Sequence, residues 1–348
     1  MIHHGGNLIK AINEYGGEPN GWLDISTGVS PFTYPVPVIP DSIWNRLPQS
    51  NDGLERAARF YYRSASEPLA VAGSQAAIAS LPELFTSRLK RLGTVCLPRV
   101  GYKEHQRAWE TYRYHGSQWL IEFYDETPSV YQLENSDVVV IINPNNPTGQ
   151  RFSQSQLDAM YQKMQINQGY LVIDEAFADC TPENSLLRRQ SLYERLLVLR
   201  SVGKFFGLAG ARVGFVFAMP PLLSALENQL GPWTVTGPSR WVVKTALMDT
   251  DWQLKTRQSL AQNMKRLHAL LIRTLTKRVA YTDLFITAYV NEAAVLHRHL
   301  CERQVLTRLC DERNALRFGL PRTSCQWAKL ESALLAVSKY QKELVHES

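Results

Sequence analysis

The chain has 348 residues, of which 45% are apolar and 20% are charged, values ordinary for a globular protein with a sizeable core. It shows neither an apolar run long enough to cross a membrane nor a signal-peptide layout, so we expect no membrane-bound form. The formal net charge is +6, but Lys and Arg are spread along the chain without a dense basic run. That pattern argues against nucleic-acid binding and suits a protein that handles small anions.

The five cysteines are scattered, odd in number and free of C-x-x-C spacing. They are Cys96, Cys180, Cys301, Cys310 and Cys325. Such a pattern indicates reduced thiols in a cytoplasmic protein rather than a disulfide framework or a zinc site. We therefore expect a cytoplasmic location and no bound metal.

Residues 1–50 are rich in Gly and Pro, which predicts an irregular N-terminal arm. From about Leu69, short apolar runs alternate with helical stretches such as Ser74–Phe85 and Ser153–Met164. The runs with the character of buried strands are Leu69–Ala72, Thr94–Leu97, Val138–Ile142, Tyr170–Ile173, Leu196–Leu199 and Val213–Phe217. Their alternation with helices predicts an α/β fold with a mainly parallel, doubly wound sheet, in a large domain over residues 51–235.

The last third of the chain loses this regular rhythm. The predicted elements are a long helix at Trp252–Leu275, a strand near Leu284–Val290, a helix at Glu292–Arg303, a strand at Ala315–Gly319 and a helix near Trp327–Tyr340. We expect them to form a smaller α+β domain over residues 236–348.

Lys204 is the first candidate for chemistry. It lies in Ser201-Val202-Gly203-Lys204, just after a predicted strand and ahead of a glycine-rich stretch. A lysine at the carboxyl end of a buried strand loses solvent, which lowers its pKa and frees the amine to form a Schiff base. Ser201 and Arg212 are close in sequence and suit a phosphate, with Arg212 as a bidentate partner. A solvated lysine in a loop is the alternative.

Two further strands are followed by polar side chains. Asp174 comes after the apolar run Tyr170–Ile173, where a carboxylate is costly unless a cation or hydrogen-bond donors pair with it. A protonated pyridinium nitrogen is such a partner, and a turn cap is the alternative. Asn146 stands in a rigid Asn- and Pro-rich turn after the strand Val138–Ile142, where ligands bind in open α/β sheets. Its side chain suits a hydrogen bond to a phenolate oxygen.

The segment Ala72-Gly73-Ser74-Gln75 joins a predicted strand to a predicted helix. Glycine lets the backbone approach a ligand, and the first amides of the helix suit a phosphate. Tyr102 is an aromatic side chain that suits stacking on a flat ring. An ordinary helix start and an ordinary core or surface tyrosine are the alternatives.

These elements occur in an order that resembles the fold-type I pyridoxal 5'-phosphate (PLP) enzymes of the class I/II aminotransferase superfamily. The matching motifs are G-S-Q, an aromatic residue, N-P-N-N-P-T-G, D-E-A-F, S-x-x-K and G-x-R-x-G, and they cover nearly the whole chain. The resemblance implies that Lys204 forms a Schiff base with the cofactor, that Asp174 pairs with its pyridinium nitrogen, and that Asn146 bonds its phenolic oxygen. It further implies a homodimer in which Tyr102 stacks on the ring and the phosphate is held by Ser74, Gln75, Ser201 and Arg212.

The ends of the chain and two internal strings resemble the threonine-phosphate decarboxylases of cobalamin biosynthesis. The matching strings are His4-Gly5-Gly6-Asn7-Leu8, the segment from Trp22 to Pro31, Gly73-Ser74-Gln75-Ala76-Ala77, Tyr102-Lys103-Glu104-His105 and the segment from Leu316 to Pro321. This resemblance implies decarboxylation of L-threonine O-3-phosphate to (R)-1-amino-2-propanol O-phosphate. Arg317 would then meet the substrate carboxylate. His4 and Arg308 are candidates for its phosphate, and Asn146 is a further substrate-binding candidate.

The sequence departs from the family pattern at two positions, and two alternative functions remain compatible with it. Leu47-Pro48 replaces a Tyr-Pro pair whose tyrosine reaches the partner subunit's cofactor phosphate, and Phe177 replaces a tyrosine that contacts the ring oxygen. The alternative enzyme is an aminotransferase acting on a phosphorylated amino acid of the histidinol-phosphate type. The alternative outside enzymes is a non-catalytic PLP-fold binding protein. The non-catalytic alternative is disfavoured by the joint presence of four residues: Lys204, Asp174, Asn146 and Arg212.

Overall fold

The computed structural model describes residues 4–188 and 193–347, which form two compact units. The large unit contains Tyr34–Asn146 and Gln150–Gln253. The small unit contains the residues up to Thr33, Pro147–Gly149 and the chain from Leu254 onward. Residues 236–253, which we assigned from sequence to the smaller domain, group with the large unit, where Arg240 is bonded to Asp52 and Glu55.

Strands and α-helices are numbered in chain order. The strands are β1 (Leu23–Asp24), β2 (Leu69–Val71), β3 (Thr94–Pro98), β4 (Leu120–Tyr124), β5 (Val138–Ile142), β6 (Tyr170–Asp174), β7 (Leu196–Ser201), β8 (Gly214–Ala218), β9 (Val279–Tyr281), β10 (Ile286–Tyr289), β11 (Val305–Leu306), β12 (Arg308–Leu309) and β13 (Ala315–Phe318). The helices are α1 (Leu8–Tyr15), α2 (Asp41–Trp44), α3 (Leu54–Tyr62), α4 (Ser74–Leu89), α5 (Lys103–Thr111), α6 (Val130–Asn135), α7 (Gln154–Met164), α8 (Val202–Phe205), α9 (Pro220–Leu230), α10 (Gly237–Met248), α11 (Thr250–Thr274), α12 (Ala293–Cys301) and α13 (Ser324–Glu347).

The large unit is built on a seven-stranded sheet in the order β2-β8-β7-β6-β5-β3-β4. Strands β4, β3, β5, β6 and β7 are parallel, and β8 runs antiparallel to β2 and β7. The predicted α/β fold with a mainly parallel sheet is therefore confirmed, and each of the predicted strands before residue 220 lies in this sheet. Strand β4 was not predicted because most of its side chains are only partly buried at the sheet edge, so it lacks a continuous apolar run.

The central strands explain why the sequence reads as unbroken apolar runs. Every residue of Val138–Ile142 and Tyr170–Asp174 is buried, since helices cover both faces of a parallel sheet. The register pairs Ile142 with Asp174, so β5 and β6 end side by side. Polar residues that follow or end these strands consequently meet at one edge of the sheet.

The prediction of an irregular arm is wrong for part of residues 1–50, because Leu8–Tyr15 form the helix α1. Asn7 caps its start by accepting a hydrogen bond from the backbone N–H of Lys10 at 3.3 Å, and Gly16 ends it. Ala11 of α1 packs in a small cluster with Trp22, Cys301 and Leu306. The glycines and prolines lie on either side of this amphipathic stretch, so the composition of the whole segment hid a short helix.

The small unit contains a four-stranded antiparallel sheet in the order β12-β13-β10-β9 and a parallel pair, β1 and β11. The predicted strands of the last third correspond to β10 and β13, and the predicted helices correspond to α11, α12 and α13. Within residues 4–188 and 193–347 we find no helix that is both long and apolar enough to span a membrane.

Candidate active site

Polar residues from the carboxyl ends of three parallel strands face one cleft in the large unit. Asn146 follows β5, Asp174 ends β6, and Lys204 follows β7 in the short helix α8. The cleft is lined by every residue that the sequence predicted for cofactor binding: Ser74, Gln75, Tyr102, Asn146, Asp174, Ser201, Lys204 and Arg212. The carboxyl edge of the strands is where open α/β sheets bind ligands, so the chain order of the motifs translates into one site.

The backbone around Lys204 is tightly packed. A Cβ at Gly203 would lie 3.0 Å from Cα of Ala209, which leaves little room for a side chain. Nζ of Lys204 lies 5.3 Å from the centroid of the Phe177 ring, a cation–π distance. Phe177 lines the same cleft, and its ring offers the amine an apolar surface without a hydroxyl group.

Asp174 is buried, and its two carboxylate oxygens have different partners. Oδ1 accepts a hydrogen bond from the backbone N–H of Ala176 at 3.0 Å, and Oδ2 lies 2.9 Å from Nε2 of His105. A buried carboxylate is tolerated only when such donors replace water. His105 carries no role predicted from the sequence. The available signal was its position three residues after Tyr102, which is about one helical turn.

Ser74 and Arg212 come together where α4 begins. A Cβ at Gly73 would lie 2.9 Å from Nη2 of Arg212, and one at Gly214 would lie 2.5 Å from the backbone nitrogen of Ser74. Ser201 is the cross-strand neighbour of Gly214. Three features therefore meet at one place: backbone without side chains, the first N–H groups of a 16-residue helix, and a guanidinium group. Together they suit a phosphate group.

The side chains of Gln75 and Tyr102 are bonded to each other in the cleft wall. The Tyr102 hydroxyl donates to Oε1 of Gln75 at 3.2 Å, and Nε2 of Gln75 donates to Oε2 of Glu104 at 3.1 Å. The Tyr102 ring also meets the His105 ring edge-on, with centroids 6.3 Å apart. The aromatic ring that we expect to stack on the cofactor is thus held at its hydroxyl and at its edge.

Glu175 and Arg200 form a buried ion pair beside the site. Nε of Arg200 lies 3.0 Å from Oε2 of Glu175, and the same oxygen accepts a hydrogen bond from Ser185 at 2.6 Å. Burial raises the pKa of Glu175 above its usual value, although Arg200 opposes the rise. Glu175 directly follows Asp174 and Arg200 directly precedes Ser201, so the pair joins the ends of β6 and β7. The sequence gives no sign of this pairing, because the partners are far apart along the chain.

Two predicted substrate residues lie side by side in the small unit. Arg308 on β12 is the direct cross-strand neighbour of Arg317 on β13. Nη2 of Arg317 donates to the carbonyl oxygen of Ser26 at 2.7 Å, and Cζ of Arg317 lies 5.1 Å from the centroid of the Phe285 ring. Nη2 of Arg308 lies 3.3 Å from Oδ2 of Asp311. Like charges opposite each other on neighbouring strands are unfavourable, so this pair suits an anionic ligand.

His4 is exposed at the beginning of the described chain. The backbone N–H of Gly6 donates to Oγ of Ser26 at 2.6 Å, and a Cβ at Gly5 would overlap the carbonyl oxygen of Ser26. Because that carbonyl also accepts from Arg317, Ser26 connects the segment after His4 with the predicted carboxylate-binding arginine.

The groups in the cleft fit the cofactor that the sequence predicted. Lys204 offers a primary amine for the aldehyde of PLP, and Asp174 offers a buried carboxylate for its ring nitrogen. Arg212 and the start of α4 suit its phosphate. The bare backbone at Gly73 permits close approach of such a group. Among the described residues, no cluster of His, Cys, Asp and Glu has the arrangement of a metal site.

Comparison with known proteins agrees with this geometry. Residues 48–318 match the model of the aminotransferase class I and II family. The chain is 42% identical to a threonine-phosphate decarboxylase from Pseudomonas aeruginosa over 347 residues, which is 100% of both chains. It is 36% identical to a threonine-phosphate decarboxylase from a Sinorhizobium species over 337 residues, 96% of this chain and 97% of that one.

Solved structures share the fold at low sequence identity. Histidinol-phosphate aminotransferase from Sinorhizobium meliloti, in complex with PLP, superposes with a TM-score of 0.77 at 18% identity over 98% of this chain and 99% of that one. L-threonine-O-3-phosphate decarboxylase from Porphyromonas gingivalis superposes with a TM-score of 0.70 at 17% identity over 89% and 97%. From its family-model match, its full-length relatives and its fold, we conclude that the chain belongs to the class I and II aminotransferase family.

Proposed function

We propose that this chain is a PLP-dependent decarboxylase that converts L-threonine O-3-phosphate to (R)-1-amino-2-propanol O-phosphate, a step of cobalamin biosynthesis. The observation that carries the proposal is identity of 42% and 36%, over nearly the full length, to two threonine-phosphate decarboxylases. The paired arginines of β12 and β13 support it, because the substrate carries both a carboxylate and a phosphate.

The residues of the large unit hold the cofactor. When PLP is bound, Asp174 would keep a proton on its ring nitrogen, Arg212 and the first N–H groups of α4 would bind its phosphate, and Asn146 would donate to its ring oxygen. Tyr102, which lines the same cleft, would pack on the ring face. The cofactor would supply an acceptor for the electron pair released as a bond at the substrate α-carbon breaks. Lys204, whose amine shares the cleft, returns a proton to that carbon.

The family resemblance assigns three further residues to the substrate anions. Arg317 binds the carboxylate, and Arg308 and His4 bind the phosphate. Arg317 is buried and fixed by Ser26 and Phe285, so it can hold the carboxylate in one orientation. That orientation decides which bond at the α-carbon breaks, and therefore distinguishes decarboxylation from transamination.

The alternative within the family is an aminotransferase acting on a phosphorylated amino acid. It shares Lys204, Asp174 and Arg212 with the decarboxylase, so these residues do not discriminate. Phe177 favours the decarboxylase mildly, because aminotransferases of the superfamily often carry tyrosine there. Product identity is the property that separates the two enzymes.

The deciding experiment follows carbon dioxide and the amine together, using purified protein, PLP and O-phospho-L-threonine. We expect stoichiometric carbon dioxide and aminopropanol phosphate, and no product from Lys204→Ala. A keto acid with pyridoxamine phosphate would assign the protein to the aminotransferases instead. Absence of both products from a visibly PLP-loaded protein would reject threonine phosphate as the substrate.

We also propose that the enzyme works as a homodimer in the cytoplasm. The large unit exposes several apolar side chains, Val36, Val38, Trp44, Leu47 and Trp233, and a second copy would remove them from water. The cysteines are free, which suits a reducing compartment. Sedimentation equilibrium tests the dimer: a monomer at micromolar concentration would overturn it. Leu47 cannot donate a hydrogen bond, so we expect no side-chain hydrogen bond from this position to a partner's cofactor.

A further inference from the structure

Glu104 is a buried carboxylate to which neither the family resemblance nor the proposed function gives a role. It lies in the first turn of α5 and is only 8% exposed. Its Oε2 accepts a hydrogen bond from Nε2 of Gln75 at 3.1 Å, and Oε1 of Gln75 accepts one from the Tyr102 hydroxyl at 3.2 Å. Gln75 and Tyr102 both line the cofactor cleft. One chain of hydrogen bonds thus leads from Glu104 to the ring of Tyr102.

The direction of these hydrogen bonds follows from the chemistry of the groups. An ionised carboxylate only accepts, so the NH₂ end of the Gln75 amide must face Glu104. The carbonyl end then faces Tyr102, whose hydroxyl must donate. Without an obligate acceptor at Glu104, the amide can turn over and present its NH₂ group to Tyr102. Glu104 therefore selects one of two orientations of Gln75.

The carboxylate of Glu104 is buried, so hydrogen-bond donors must replace the water around it. Burying a carboxylate is costly unless donors surround it, and Nη1 of Arg107 lies 3.7 Å from Oε1 of Glu104. That distance is long for a strong ion pair, and Arg107 is largely exposed. The amide of Gln75 donates to Glu104 at the shorter distance of 3.1 Å, and the hydrogen bonds along the chain polarise one another.

We propose that Glu104 is a positioning residue for the cofactor: through Gln75 it fixes the hydroxyl, and with it the ring plane, of Tyr102. This inference rests on the proposed packing of Tyr102 against the cofactor ring. The edge contact with His105 holds the same ring from another direction. Glu104 thereby prepares the ring for the cofactor, which lowers the entropy lost on binding.

The test is a double-mutant cycle read out as the Kd for PLP, measured by titrating the cofactor-free full-length protein. Glu104→Met removes the acceptor at similar volume, and Tyr102→Phe removes the hydroxyl but keeps the ring. We expect each single variant to weaken PLP binding by up to about tenfold, because each breaks one hydrogen bond of the chain that holds the Tyr102 ring. In the Tyr102→Phe background, Glu104→Met should add almost nothing, because its effect passes through the missing hydroxyl.

A full additional loss in that background would show that Glu104 acts by general stability, and would overturn the proposal. Glu104→Gln keeps an acceptor oxygen, so this variant should bind PLP more tightly than Glu104→Met. If the Met variant fails to fold, Glu104→Gln replaces it in the double-mutant cycle. The matched control is Glu110→Met on the same helix, which removes an exposed contact of the same kind, Gln106 Nε2 to Glu110 Oε1 at 2.6 Å. It should leave the Kd unchanged.

Failure of this inference and failure of the proposed function are distinguishable. The cycle measures PLP binding without substrate, whereas the proposed function depends on the product formed by the wild type. Tyr102→Ala completes the set: an unchanged Kd in that variant would remove Tyr102 from the cofactor and overturn the role of Glu104, whatever the product analysis shows.

Discussion

Nε2 of His105 and Oδ2 of Asp174 lie 2.9 Å apart, with only 2% and 4% of the two side chains exposed. Because Oδ1 of Asp174 accepts a backbone N–H, the carboxylate is held at both oxygens. Among the described residues, Nδ1 of His105 has no hydrogen-bond partner. Because a carboxylate only accepts hydrogen bonds, Nε2 of His105 is the donor in this contact. His105 therefore orients the carboxylate of Asp174.

We expect His105→Leu to lower kcat about tenfold or more, because losing a hydrogen bond to a charged group costs about 1.5–3 kcal/mol. His105→Gln retains an N–H near the position of Nε2 and should recover part of the loss. Steady-state kinetics with O-phospho-L-threonine measure the effect, and a PLP titration of the same preparations separates it from cofactor loss. Unchanged kcat in the Leu variant would show that Asp174 needs no second partner.

Arg212 combines a proposed role at the phosphate with an unfavourable backbone, since its φ is +51°. The left-handed region costs a non-glycine residue about 1 kcal/mol or more. We expect Arg212→Gly to raise the free energy of unfolding of the cofactor-free protein relative to Arg212→Ala, because only glycine adopts this φ freely. Both variants should bind PLP far more weakly than the wild type.

Thermal unfolding of the two cofactor-free variants and a PLP titration of each test this separation of stability from binding. Equal stability of the Gly and Ala variants would mean that the backbone at Arg212 relaxes without the side chain. PLP binding as tight as in the wild type would remove the guanidinium from the phosphate.

The placement of Asn146, Asp174 and Lys204 was predictable because it depends on local pattern. Each lies at or just after the end of a buried apolar run, and parallel strands bring their carboxyl ends to one edge. His105 and Glu104 were missed because their roles depend on how α5 packs against β6 and α4. Nothing in the local sequence records that packing. Residues 8–15 were mispredicted as irregular for another reason: glycines on either side of this helix of 8 residues dominate the composition of the segment.

Arg240 joins α10 to the start of α3 through two carboxylates. Its Nε and Nη2 bond Asp52 at 2.7 and 2.8 Å, and its Nη1 and Nη2 bond Glu55 at 2.9 and 2.7 Å. Burial, the largest single influence, would raise the pKa of Asp52. The hydrogen bonds from Arg240 and from the backbone N–H of Leu54, together with the positive charges of Arg240 and Lys244, outweigh it and lower the pKa below the usual 3.8. A lowered pKa in the folded state stabilises the fold above about pH 3.8 and ceases to do so as the pH falls through the folded value.

We therefore expect Arg240→Met to lower the free energy of unfolding at pH 7 by about 1–3 kcal/mol, discounted for the partial exposure of Asp52. The difference between variant and wild type should shrink as the pH falls below 3.8, where Asp52 takes up a proton. Urea unfolding at several pH values measures it. A difference that stays constant down to pH 2 would assign the effect to packing of the Arg240 side chain rather than to its charge.

Arg308 and Arg317 face each other across β12 and β13, so removing one charge has two opposite consequences. Arg308→Met relieves repulsion between like charges, and we expect the substrate-free protein to be no less stable than the wild type. The same change should raise the Kd of O-phospho-L-threonine about tenfold or more, because a charge-assisted hydrogen bond is lost, while PLP binding stays the same. Isothermal titration of the PLP-loaded, Lys204→Ala background separates binding from turnover.

Asp311 provides the matched control for Arg308. Its carboxylate lies 3.3 Å from Nη2 of Arg308, so it competes with a phosphate for the same guanidinium. Asp311→Asn removes that competition and should tighten binding of O-phospho-L-threonine, opposite in sign to Arg308→Met. In the Arg308→Met background, Asp311→Asn should have little effect, because the cation through which it acts is gone. Equal substrate affinity in all three variants and the parent protein would place the phosphate site elsewhere.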